Sequence, residues 1–165
     1  FWMGDGYDSG LDAVRLRSYA MVLVAAKSYL GRHGYPALPN ELKDHTCIVE
    51  THISRVGEWQ LSEGVKVSVN RGPLTTNSVR MAREAALEGL GISYLPLFLV
   101  EEDIANGLLE ALLPDVVTQQ IAFHLIFPKG NYTLAKVRAF VDYVRSEMRD
   151  ENEPMVARGI GLAAV

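Results

Sequence analysis

Asn77-Ser78-Val79-Arg80-Met81-Ala82-Arg83-Glu84-Ala85-Ala86-Leu87-Glu88-Gly89-Leu90-Gly91-Ile92-Ser93-Tyr94-Leu95-Pro96 is the stretch on which the fold turns. Thr76 or Asn77 offers a side-chain oxygen to the unpaired amides of a helix start. Val79, Ala82, Ala85 and Ala86 then recur on one face as far as Glu88. Gly89 suits the left-handed position that closes a helix. Ile92 to Leu95 is a buried strand stopped by Pro96, and a second helix runs from about Leu97 to Asn106, stopping at Gly107. Helix, buried strand and helix in direct succession predict an α/β protein with a mainly parallel sheet.

Working outward, Leu11 to Leu16 and Tyr19 to Ala26 read as two extended segments, the second a continuous apolar run covered on both faces. Ser28-Tyr29-Leu30 starts a short helix that Gly31 and Gly34 end, and Pro39 to Leu42 reads as one helical turn. Cys47-Ile48-Val49 is a short strand. Between Glu58 and Leu74, Trp59, Leu61, Val65, Val67 and Val69 alternate with polar residues across a turn at Ser62-Glu63-Gly64, the pattern of a hairpin. Leu108 to Leu113 is extended or irregular. Gln119 to Phe127 is a strand with Ile121, Phe123, Leu125 and Phe127 on one side. Thr133 opens a helix to about Met148 whose apolar stripe is Val137, Phe140, Val141 and Val144. Residues 149–165 mix charge with small residues, lack a period and are expected to be disordered.

Bulk properties narrow the function. The 165 residues are 48% hydrophobic and 22% charged, ordinary for a globular domain that buries a core. No apolar run approaches a bilayer span, and no basic segment followed by an apolar stretch reads as a secretion signal. The single Cys47 excludes an internal disulfide and fits a reducing cytoplasm. With a net charge of −4 and dispersed basic residues, the chain offers no basic face for nucleic acid.

Several stretches share their order and spacing with one family. They are Met21 to Leu30, with Ala26-Lys27 where Ser-Pro is common; Gly34-Tyr35-Pro36; Pro39-Asn40-Glu41-Leu42; His45-Thr46-Cys47-Ile48; and Trp59 before the hairpin turn. Asn77 to Pro96, then Phe127-Pro128, then Lys136 to Asp142 complete the series. From about Asp8 to Val144 the chain resembles the carboxy-terminal effector-binding half of LysR-type bacterial transcriptional regulators.

The resemblance implies a two-lobed, Rossmann-type fold like that of periplasmic binding proteins, with the second lobe complete and the first partial. On that basis residues 1–148 form the effector-binding domain, 19–117 being the second lobe, with 1–18 and 118–148 a remnant of the first. An incomplete first lobe would expose apolar surface around Ile121, Phe123 and Phe140. The winged helix-turn-helix, the linker helix and the opening units of the first lobe have no counterpart in the sequence.

Leu74-Thr75-Thr76-Asn77-Ser78 leads into a helix start, where unpaired N–H groups and partial positive charge suit an anion. Thr75, Thr76, Asn77 and Ser78 are therefore candidate ligand-binding residues, although capping alone also explains Thr76, Asn77 and Ser78. The resemblance adds Ala26 and Ser28, which follow a strand arriving from the other lobe. Gly89-Leu90-Gly91 lies at a helix end, not at the strand-to-helix turn of a dinucleotide loop. Thr133 to Lys136 reads as a capped helix start. Asp44, His45, Cys47 and His52 match no closed zinc set, and Trp59 reads as core. No nucleophile elbow or triad stands out, so no enzyme, metal or cofactor is expected.

The expected function is effector sensing for a LysR-type regulator. A small metabolite, an organic acid or amino acid, binds between the lobes and alters oligomer geometry. DNA is contacted only through the absent winged helix-turn-helix, and the membrane not at all. A solute-binding protein of a transporter is the main rival, requiring an export signal. An enzyme on the same scaffold would need a catalytic acid or base, and a ligand-free oligomerisation module would respond to no metabolite.

Overall fold

The run Met21 to Ala26 is buried at every position, which a strand achieves only with cover on both faces. That strand is the spine of the chain. The computed structural model describes residues 1–3, 8, 10–53 and 57–148; the expected disorder of 149–165 lies outside the described residues.

In chain order the elements are β1 (Trp2–Met3), β2 (Leu11–Ala26), α1 (Lys27–His33), β3 (Cys47–Glu50), β4 (Glu58–Ser62), β5 (Val65–Ser68) and β6 (Arg71–Thr76). They continue with α2 (Val79–Leu87), β7 (Ile92–Pro96), α3 (Leu97–Ala105), β8 (Leu109–Leu112), β9 (Gln120–Pro128) and α4 (Ala135–Glu147). Short 3-10 helices occupy Pro39–Asp44 and Asn131–Thr133. The chain divides into two compact units, one of residues 1–19 with the chain from 122 onward, the other of residues 20–121.

In the larger unit the strand order is β8-β2-β7-β3-β6. β3 is parallel to β6 and β7, whereas β2 runs antiparallel to both β7 and β8. One face carries Val22, Val24, Ala26, Ile48 and Leu95 against Ala82, Ala85 and Ala86 of α2 and Val100 of α3. Small alanines let α2 lie close to the sheet, so the predicted helical stripe is the packed one. On the opposite face Trp59 of the β4–β5 hairpin packs against Tyr94, ring centroids 5.6 Å apart, and the Tyr94 hydroxyl donates to the Gln60 carbonyl at 2.7 Å.

Several local expectations needed correction. Leu11 to Ala26 is one sixteen-residue strand, not two segments. α1 continues through Gly31 and is closed by Gly34 alone, at φ 82°. The hairpin ends at Ser68, and Arg71–Thr76 is a separate strand parallel to β3. Gly72 and Pro73 disguise it as loop. Pro73 is tolerated because β6 is an edge strand, and Gly72 is required because a Cβ there would lie 2.7 Å from the Cys47 carbonyl oxygen.

In the smaller unit β1 pairs antiparallel with β9, Trp2 opposite His124 and Met3 opposite Phe123. Phe123 is half-buried, stacked on Phe1 at 5.4 Å and edge-on to Tyr19 at 6.1 Å. Of the three positions expected to be exposed, Phe140 is, at 51%, while Ile121 in the larger unit is only 7% exposed. The stripe of α4 likewise narrows to one buried residue, Val141. Thr133 does not cap α4: its hydroxyl donates to the Gly130 carbonyl at 2.9 Å, and Leu134 precedes the helix without a side-chain cap.

Candidate functional site

β3, β6 and β7 run parallel and end together in the larger unit. Glu50 is opposite Thr76, Ile48 opposite Ser93, and the Thr51 amide donates to the Thr76 carbonyl at 2.9 Å. Such carboxyl ends of parallel strands, where the chain turns into helices, are the usual ligand-binding end of an open α/β sheet. β6 passes into α2 through only Asn77 and Ser78, so the α2 amino terminus is delivered to this end.

The cap is Ser78, not Thr76 or Asn77: its hydroxyl accepts the Met81 N–H at 3.4 Å. Thr76 is buried, and its hydroxyl accepts the Ser78 N–H at 3.1 Å. These two side chains build the helix start. Thr75 and Asn77 are exposed, and the amides of Val79 and Arg80 that follow belong to the first-turn donors a helix cannot satisfy internally. α2 is itself held by a fork: Arg83 Nε and Nη2 donate to the two Asp103 carboxylate oxygens of α3, each at 2.6 Å. Bonding to Asp103 holds the guanidinium pKa above its ordinary value.

Ala26 and Ser28 do not join this group. β2 runs the other way, with Met21 opposite Pro96 and Val24 opposite Ser93, so Ala26 lies at the amino end of the parallel strands, opposite Leu109. Five residue steps along the strand carry the chain from Met21 to Ala26, about 17 Å. Ser28 meets the far end of α2, where a Cβ on Gly89 would fall 2.5 Å from its hydroxyl. The six candidates thus fall into four at one end and two at the other.

Glu50 was not anticipated. It is 2% exposed and closes β3 beside Thr76, and its Oε2 accepts the His52 and Ile53 amides at 3.0 and 2.7 Å. An acid ending the apolar run Cys47-Ile48-Val49 was the available signal. Gly89 ends α2 at φ 70°, and Gly91 leaves room for the Thr46 carbonyl, which accepts the Ile92 N–H at 2.9 Å.

The family described as LysR substrate binding domain matches residues 1–149. The chain belongs to that family. Among relatives of this LysR domain, the HTH-type transcriptional regulator PtxR of Pseudomonas aeruginosa is 33% identical over 148 residues, covering 87% of this chain and 47% of its own. The uncharacterized HTH-type transcriptional regulator YcaN of Escherichia coli is 32% identical over 127 residues, 76% of this chain and 42% of its own. The LysR domain therefore spans less than half the length of these curated relatives.

Among solved structures, the regulatory domain of CrgA, a LysR-type transcriptional regulator from Neisseria meningitidis, aligns with a TM-score of 0.70 at 29% identity. That alignment covers 88% of this chain and 73% of the CrgA domain. The fold is thus the periplasmic-binding-protein-like one of such regulatory domains, and the relatives are transcriptional regulators, a non-enzymatic family. Among the described residues no helix is long and apolar enough to cross a membrane.

Within this LysR domain Cys47 is packing, not chemistry. It is fully buried, its Sγ lies 3.5 Å from the Leu42 carbonyl oxygen, and burial pushes the thiol up to about 12. At pH 8 the native chain is expected to resist a maleimide until urea unfolds it. Labelling of the native chain at the rate of the unfolded one would show the thiol to be open.

Proposed function

We propose that this chain is the effector-sensing region of a LysR-type transcriptional regulator and that the effector is held at Thr75, Thr76, Asn77 and Ser78. The supporting observation is the division of labour at the α2 amino terminus. Thr76 and Ser78 satisfy the turn, while Thr75 and Asn77 stay exposed where β6 leads into α2, whose first-turn amides have no partner within the helix. Such a start favours a carboxylate, so the effector is a small organic acid or amino acid. Ala26 and Ser28, at the other end of the strands, are not carried into this site.

In the whole regulator the effector acts by binding one arrangement of the protein more tightly than another, biasing how subunits assemble and present DNA-binding domains lying outside this chain. The protein works in the cytoplasm as a homo-oligomer, without membrane or cofactor.

The test is a thermal-shift screen of the full-length regulator against organic and amino acids, followed by titration of the hit. Thr75→Val with Asn77→Ala, which leave the Ser78 cap in place, should weaken binding about tenfold or more while Tm stays within about 2 °C. Unchanged affinity in that variant would overturn the assignment of the site.

A further inference from the structure

We infer that Tyr29, His33 and His45 form a proton-operated latch that holds α1 and the 3-10 helix Pro39–Asp44 against the start of β3. Tyr29 is buried, and its hydroxyl oxygen accepts the Thr46 N–H at 2.9 Å. The hydroxyl hydrogen is then free to be donated to His45 Nδ1, 3.1 Å away. That bond requires an unprotonated Nδ1, so the closed latch contains neutral His45 with its hydrogen on Nε2. On the Tyr29 ring His33 stacks at 4.4 Å, its Nδ1 3.1 Å from the Tyr29 carbonyl oxygen. That carbonyl can only accept, so His33 donates from Nδ1. Two imidazoles thus bracket one tyrosine in different hydrogen-bonding roles.

Protonating His45 places a second donor against the Tyr29 hydroxyl. The phenol must either lose that bond or turn its hydrogen away, leaving a buried O–H without the acceptor it had. Burial is the largest influence opposing the charge on His45, and His33 opposes it as well, against the weaker pull of Glu41 and Asp44 on the 3-10 helix. The other charges on these packed elements are Lys27 of α1, 4.0 Å from Glu110; Arg32 of α1, which donates to the Gly89 carbonyl at 3.0 Å; Lys43 in the last turn of the 3-10 helix; Glu50 of β3, which accepts the His52 and Ile53 amides; and Lys66 of β5, paired with Glu58 at 3.4 Å.

What the latch holds is the junction of the sheet. The Thr46 carbonyl accepts the Ile92 N–H that starts β7, and Thr46 is wedged between Gly72 of β6 and Gly91. Because the folded state disfavours the proton, the latch contributes its full stability above the ordinary histidine value of about 6.5 and loses it as pH falls through the lowered value.

Long-range nitrogen-proton NMR of the chain should find His45 as the Nε2–H tautomer at pH 7.5, titrating below an ordinary histidine. Thr46 amide protection, corrected for intrinsic exchange, should drop several-fold between pH 7.5 and 5.5, with about tenfold the ceiling for a single histidine of ordinary value, and His33→Gln should raise the His45 midpoint. Tyr29→Phe should shrink the difference in Thr46 protection between the two pH values, since the hydroxyl bond to His45 is lost while the burial of His45 remains. An Nδ1–H tautomer at neutral pH, or Thr46 protection that ignores pH, would overturn the latch even if Tyr29→Phe fails to fold.

Discussion

Gly91→Ala is expected to destabilise the chain by about 3 kcal/mol, lowering Tm by roughly 6–12 °C for a domain of this size. The cause is space. A Cβ at Gly91 would lie 2.5 Å from the Thr46 carbonyl oxygen and 3.2 Å from its methyl group. That carbonyl is bonded to the Ile92 amide and cannot withdraw without opening the start of β7. Gly64→Ala separates this from a conformational effect. Gly64 has φ 80° and nothing within 4 Å of a new Cβ, so only the left-handed penalty applies, about 1 kcal/mol. Urea unfolding of the two variants measures both terms. Equal, small losses would show that β3 and β7 can separate locally at little cost.

Arg83→Met should cost about 2–4 kcal/mol, somewhat less than breaking a wholly buried pair because the Arg83 side chain keeps 29% exposure. The substitution leaves the Asp103 carboxylate, whose side chain is 6% exposed, buried without its two-pronged partner. Arg83 also approaches Glu84 at 2.6 Å, but Glu84 is 65% exposed and solvates itself when released. The double variant Arg83→Met with Asp103→Leu should recover most of the loss, since no orphan charge remains. Denaturation of the two variants beside the parent decides this. A double variant as weak as the single one would assign the loss to packing of the arginine stem. The fork matters to function because it fixes α2, whose amino terminus carries the proposed effector contacts, to α3.

The stretch Asn77 to Pro96 was legible because its signals are local. The alanine stripe of α2, the glycine that closes it and the apolar run of β7 each report burial or backbone freedom within one turn or strand. The β4–β5 hairpin was legible for the same reason, its alternation standing for one buried face. β9 was legible as a strand, although His124 is buried and Phe123 and Phe127 are only half-buried, so its alternation does not mark one buried face. β6 was not, because its strand character comes from pairing with β3, more than twenty residues away in sequence. Gly72 and Pro73 serve that pairing while looking like a loop.

The candidate site divides the same way. That Thr75 to Ser78 lead into a helix was written in the sequence, as was the chemistry a helix start offers. Which of the four caps and which face solvent depended on the turn actually taken: Ser78 on Met81, Thr76 on Ser78, Thr75 and Asn77 outward. Ala26 and Ser28 were separated from them by the antiparallel run of β2, and Glu50 was brought beside Thr76 by register. By itself the sequence determined most of the elements, β6 excepted, together with the α/β class and the family likeness, since periodicity and motif order are carried by neighbouring residues. Strand direction, register and the Arg83–Asp103 fork were decided only in the tertiary structure, because each depends on partners that the chain brings together from a distance.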